Sequence, residues 1–234
     1  MLKKVVITYL ILCCTIGAIT FTSGCVEQEI GKQKIESLDF SLKSWKVIDD
    51  KGAPSLIISF YASNDFRLQI TDPNGIETGG KYIETGITGA KLRLARYNEN
   101  PQAGVYKLIV KERHGNIIFT KEISFAGANV SILKCTSFWK YSEWSGEYTL
   151  KSLTISVKNN GDLPAYMYNA EVSIGGKVSS IRLSEVVLPN QEKTITKDTY
   201  IRDIPPGKYE MTVTLEDSSG NVISTYTTEE VPSK

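Results

Sequence analysis

Period two constrains this chain more than anything else in it. Apolar side chains recur at every second residue, the spacing of a β-strand with one face buried. Tyr148 to Val157 (YTLKSLTISV) is the strongest run. Leu38, Phe40 and Leu42 alternate with polar residues, as do Phe66, Leu68 and Ile70, and Tyr106, Leu108 and Val110. Leu92 with Leu94, Tyr168 to Ile174 and Tyr209 to Leu215 repeat the pattern. Denser or weaker strands are expected at Ser55 to Ser63, Ile117 to Phe125, Val130 to Tyr141, Ile181 to Leu188, Lys193 to Ile201 and Val222 to Thr228. Turn residues punctuate them: Asp72-Pro73-Asn74-Gly75, His114-Gly115-Asn116, Asn159-Asn160-Gly161-Asp162 and Ser218-Ser219-Gly220-Asn221. Beyond the first 25 residues no window carries an apolar helical stripe. The pattern predicts an all-β chain of antiparallel sandwiches.

The two halves repeat one another. Gly104-Val105-Tyr106 opens an alternating strand that leads through Gly115-Asn116 into Ile117-Ile118. Gly207-Lys208-Tyr209 does the same, through Gly220-Asn221 into Val222-Ile223. The Tyr-to-Asn gaps are 10 and 12, which reads as a hairpin turn two residues longer in the second half. A tyrosine opening the penultimate strand behaves like the tyrosine corner of immunoglobulin-like sandwiches, where the hydroxyl bonds backbone across the corner. The expected organisation is therefore two tandem immunoglobulin-like β-sandwiches, residues 36–126 and 127–234, divided near Gly127. The second, with TISVKNNGDLPAYMYNAEVSIGG, LPNQEKTI and PPGKYEMTVTL, resembles the CARDB and related immunoglobulin-like modules of prokaryotic surface proteins. That resemblance implies a fold and an extracellular habit, and no reaction.

The N-terminus reads as a targeting segment. Lys3-Lys4 precede Val5 to Phe21, a run without charge, and small residues Ser23-Gly24 lead to Cys25. Positive flank, apolar stretch and small residues make a secretory signal peptide. Thr22-Ser23-Gly24-Cys25 resembles the lipobox of prokaryotic, including archaeal, lipoproteins, with Thr22 where leucine is commoner. The resemblance implies removal of residues 1–24 and a two-chain lipid on Cys25, the number of chains that holds a protein stably to a bilayer. Residues 25–35 are then the lipidated cysteine and a polar tether. Nine flexible residues from Val26 to Lys34 reach about 15–18 Å. Of the four cysteines only Cys135 stays free in such a chain, in an alternating pattern that suits a small buried hydrophobe.

Little in the sequence favours catalysis. One histidine, His114, lies in a turn, and there is no Gly-x-Ser-x-Gly elbow, Walker loop or dinucleotide fingerprint. Asp49-Asp50, Asp162, Asp198 and Asp203 lack the spacing of a calcium loop. The chain is expected not to be an enzyme and to need no cofactor or metal. A net charge of +1 gives no basic field for nucleic acid. The feature to follow is aromatic: Phe138, Trp139, Tyr141, Trp144 and Tyr148 crowd one expected hairpin. Such a cluster either fills a core edge or an interdomain joint, or presents rings to a glycan or a protein partner. Asn129-Val130-Ser131 is the one Asn-x-Ser/Thr acceptor, making Asn129 the candidate N-glycosylation site. The reading is a membrane-anchored, outward-facing surface lipoprotein serving as a non-catalytic binding or structural subunit at the cell envelope. The alternative is a carbohydrate- or solute-binding lipoprotein using the aromatic loop of the second sandwich. Its partners are the membrane, through the lipid on Cys25, and another envelope protein or a glycan.

Overall fold

Alternation becomes strand throughout the computed structural model, which describes residues 39–233. The lipobox, Cys25 and the tether lie outside the described residues. Seven strands form the first half: β1 (Phe40–Asp50), β2 (Ala53–Ala62), β3 (Phe66–Thr71), β4 (Glu77–Ile83), β5 (Gly89–Arg93), β6 (Gly104–Lys111) and β7 (Ile117–Phe125). Seven more form the second: β8 (Val130–Ser142), β9 (Glu147–Asn159), β10 (Ala165–Ile174), β11 (Lys177–Val187), β12 (Glu192–Ile204), β13 (Tyr209–Glu216) and β14 (Val222–Glu230). The described residues contain no helix.

Each half is built on one plan. The first pairs a sheet of order β1-β2-β5 with one of order β4-β3-β6-β7. The second pairs β12-β9-β8 with β11-β10-β13-β14, which is the same order moved along by seven strands. All neighbouring strands run antiparallel. Inward residues of both sheets close one core in each half. Leu56, Ile58, Leu68, Ile70, Leu108 and Val110 fill the first, and Leu153, Ile155, Val157, Val172, Val213 and Leu215 fill the second. This is a tandem of immunoglobulin-like β-sandwiches.

Bulges explain where period two skips. In β9 the apolar set runs Tyr148, Leu150, then Leu153, Ile155 and Val157. The pairing shifts there, with Phe138 opposite Ser152 and Trp139 opposite Leu150, so Lys151 is the extra residue that returns the later residues to the core face. In β12 two shifts follow one another, and Tyr200 and Asp203 sit at them with φ of 55° and 56°.

The repeat is real, with one correction. Tyr106 donates its hydroxyl to the Gln102 carbonyl at 3.1 Å, and Tyr209 to the Pro205 carbonyl at 2.8 Å. Both are tyrosine corners. The two turns, however, are alike. Glu112 N–H donates to Asn116 O and Gly115 N–H to Glu112 O; Asp217 N–H donates to Asn221 O and Gly220 N–H to Asp217 O. Asp72, Gly75 and Ile76 repeat the arrangement between β3 and β4. The two residues of difference belong to strand, because Tyr209 opens β13 whereas Tyr106 is the third residue of β6. β4 had no apolar alternation to announce it. Its Gly79 lies so close to β5 that a Cβ would stand 2.7 Å from the Arg93 nitrogen.

Candidate functional site

The chemistry-bearing residues gather at the join between the sandwiches and at the β8–β9 hairpin. At the join, the segment between β9 and β10 does more than turn the chain. Asp162 accepts from the amides of Ala126 and Gly127, each at 2.9 Å. Leu163, wholly buried, packs in the core of the first sandwich rather than its own. Asn159 ties the segment down with four bonds. Its Nδ2 donates to Leu163 O at 2.8 Å and Val187 O at 3.0 Å, and its Oδ1 accepts from Asn129 N at 3.1 Å and Gly161 N at 2.9 Å. Gly161 is glycine because a Cβ would collide with the Gly127 carbonyl oxygen and lie 2.7 Å from the Asn129 nitrogen.

A second set of contacts crosses the join through Tyr166. Its backbone exchanges two hydrogen bonds with the Asn100 side chain, at 2.6 and 3.3 Å. Its hydroxyl donates to Asp49 Oδ1 at 2.6 Å. Burial, then the Asp49 carboxylate, raises the phenol pKa well above its ordinary value. Asp49 also caps the β1–β2 turn, accepting from Gly52 N at 2.8 Å. Beside these contacts lies a cleft of about 200 Å3, walled by Lys51, Tyr97 and Asn98 from the first sandwich and Tyr166, Tyr168 and Ser184 from the second. Lys51, Asn98 and Ser184 all hold left-handed backbone, with φ of 54°, 57° and 51°.

The aromatic hairpin divides by strand parity. Trp139 and Tyr148 face the second core and meet edge to face at 6.5 Å. Tyr141 packs on Tyr148 at 4.9 Å. Phe138, one residue from Trp139, points outward at 64% exposure, and Trp144 in the turn is 98% exposed. Packing therefore absorbs three of these rings and leaves Phe138 and Trp144 to solvent. They do not share the cleft at the join, since β9 carries the chain about 40 Å from that turn to Asn159.

The other singled-out residues have ordinary surroundings. Asn129 is exposed next to the join, and His114 is exposed in the β6–β7 turn. Asp203 lies 3.7 Å from Lys177. No group of three or more His, Cys, Asp or Glu among the described residues could hold a metal ion. No helix among them is long and apolar enough to cross a membrane.

Cys135 is buried in the second core, and burial above all, with the charge of Glu230, pushes its thiol up to about 12. A thiolate forms there only when the fold opens, so iodoacetamide at about pH 8 is expected to spare Cys135 in the native chain and label it fully in denaturant. Peptide mass spectrometry reads this directly. The raised pKa means the folded state holds its proton longer than the unfolded chain. Its contribution to stability is therefore whole below the unfolded thiol pKa and is lost as pH climbs toward 12.

Periodicity pointed to the hairpin and missed the join. Asp49 and Tyr166 meet across 117 positions of sequence, which no local pattern reports. The nearest signal was the Asn-Asn-Gly-Asp run itself, which is richer in side-chain hydrogen-bonding groups than a turn requires.

No protein-family model matches the sequence, and no curated protein matches it. Among solved structures, the chain is similar to a two fibronectin type-III domain segment of chicken tenascin. Identity is 13%, over 81% of this chain and 98% of that one, with a TM-score of 0.34. It is similar at 12% identity to a tetra-tandem repeat from the extending region of a large adhesion protein, over 84% of this chain and 49% of that one, TM-score 0.33. A glycoside hydrolase family 2 β-glucuronidase aligns at 12% identity over 80% of this chain, which spans 25% of the enzyme, TM-score 0.37.

Proposed function

We propose that this chain is a lipoprotein anchored by a lipid on Cys25, facing the outside of the cell as a non-catalytic binding or structural arm of the envelope. Residues 1–24 are the signal peptide, 25–35 the anchor and tether, and the sandwiches, divided near Gly127, form the arm. The observation that carries the arm is the join. A segment of one sandwich completes the core of the other and is hydrogen-bonded across the join, which supports the reading of the two halves as one arm. Tandem sandwiches on a short tether would present their loops outside a bilayer. Asn129, exposed beside the join, is the acceptor such a surface would glycosylate.

The anchor is tested by replacing Cys25 with serine and fractionating cells. The variant is expected to lose processing and leave the pattern of the parent; unchanged membrane residence at the same processed size refutes the anchor. Cross-linking in the native membrane then asks for a partner at fixed ratio.

A second reading has its own support in Trp144. A tryptophan exposed at a loop tip offers a large flat ring for a glycan at small entropic cost. Trp144→Ala is expected to leave the melting temperature unchanged, since the ring packs on nothing, and to abolish retention on envelope polysaccharide. Retention equal to the parent's removes that reading.

A further inference from the structure

We infer that a second cleft at the join binds a quaternary ammonium, a cation whose charge is wrapped in methyl groups. The cleft holds about 230 Å3 and is lined by Trp45 and Val47 of β1, Phe125 of β7, Asp162, and Pro189 and Asn190 between β11 and β12. Its one charged side chain is an acid, and no Lys, Arg or His lines it. Trp45 stands there because of strand register. It lies opposite Ile58, and directly opposed residues share a face, so its ring turns toward the core side. β1 is the edge of its sheet, so no neighbouring strand covers the ring, and Trp45 stays 42% exposed. Phe125, itself buried, meets the indole edge to face at 5.7 Å and 84° and floors the cleft. Val47 and Pro189 add apolar wall.

Asp162 supplies the charge. It is half-buried, and its two oxygens each accept one amide at 2.9 Å, from Ala126 and Gly127. Both donors are neutral, so they orient the carboxylate without cancelling it. Asp162 forms no ion pair among the described residues. A carboxylate drawn partly out of water gains from a cation beside it, and each of its oxygens keeps a lone-pair direction free. The same cation gains from the face of an exposed indole. The lining also sorts cations. An ammonium with N–H groups asks for several acceptors, and the side-chain acceptors here are Asp162, already shared with two amides, and the exposed Asn190 amide. Methyl groups ask for none, and pack on Trp45, Val47 and Pro189.

The inference goes beyond the reading of the chain as an envelope arm and does not depend on the anchor, so the two fail separately. Ligand-observed NMR on the full chain in a non-ionic detergent tests it, with choline chloride as the probe. Choline is expected to saturate with a Kd of about 1 mM, the range open to so small a ligand. The uncharged tert-butyl analogue of choline, and ethanolamine, charged but unmethylated, should each bind at least about tenfold more weakly. Phosphocholine separates two sources of the group. Affinity equal to choline's assigns it to a lipid headgroup, and weaker affinity assigns it to a free solute, because the phosphate then meets Asp162. Trp45→Leu keeps apolar cover over Phe125, Asp162→Asn keeps an oxygen for one amide, and each should weaken choline about tenfold. Trp144→Ala, which removes the most exposed indole, should bind choline as the parent does. If neither cleft variant folds, the parent still decides, through choline against its uncharged analogue. Absence of saturation, equal binding of the uncharged analogue or of ethanolamine, parent-like affinity in a folded cleft variant, or loss of binding in Trp144→Ala overturns the site.

Discussion

Asn159→Ala is expected to lower stability by about 3–5 kcal/mol, far more than an asparagine in a turn should matter. The side chain is buried and satisfies two amides and two carbonyls, three of them on the buried residues Gly161, Leu163 and Val187. Alanine removes all four partners at once, and each unsatisfied buried group costs about 1–3 kcal/mol before relaxation lets water in. Two of the four, Asn129 N–H and Leu163 C=O, belong to the segments that bring the sandwiches together. The loss should therefore appear in chemical denaturation as a lower midpoint for the whole described chain. Asn160→Ala, one residue on and exposed, is the control and should fall within about 0.5 kcal/mol of the parent. Equal small effects at both positions would mean that the hydrogen bonds of Asn159 are replaceable, and that the join is held by packing and by the Asp162 and Tyr166 contacts.

Most strands were legible in the sequence for the reason that they are amphipathic at period two, and the interruptions were legible as bulges only once pairing was known. β4 escaped because Glu77–Ile83 (ETGGKYI) carries two glycines and buries little beyond Ile83. Its strandedness comes from β3 beside it. The tyrosine corners could be named from Gly-x-Tyr because that bond is local, spanning four residues. The split within the aromatic cluster was also implicit: Phe138 and Trp139 are neighbours and must face opposite ways. What periodicity could not disclose was the use made of Asp162 and Leu163. A leucine after a turn looks like the start of the next strand's inward set, and nothing local says that its core is another sandwich's. The cleft is hidden for the same reason, since its walls come from four stretches far apart in sequence.

Leu163→Ala puts that misplaced core residue to work as a probe. A wholly buried leucine cut to alanine costs about 2–5 kcal/mol, set by how far the cavity can collapse. Here collapse is restrained, because Asp162 on one side is fixed by two amide bonds and the Leu163 carbonyl on the other by Asn159. The cost should therefore lie toward the upper part of that range. Its location is the sharper expectation. Leu163 follows β9 in sequence yet belongs to the core of the first sandwich, to which β2, β3 and β6 contribute most of the fully buried residues. Hydrogen exchange should show the first sandwich's central strands, β2, β3 and β6, losing protection at least as much as β9 and β10. Loss confined to β9 and β10 would show that Leu163 supports only its own sandwich and that the halves are separable. Loss in both follows if the join is a shared core, because a cavity at the seam then lowers the free energy of opening on either side. Under that coupling a defect in one sandwich is felt in the other.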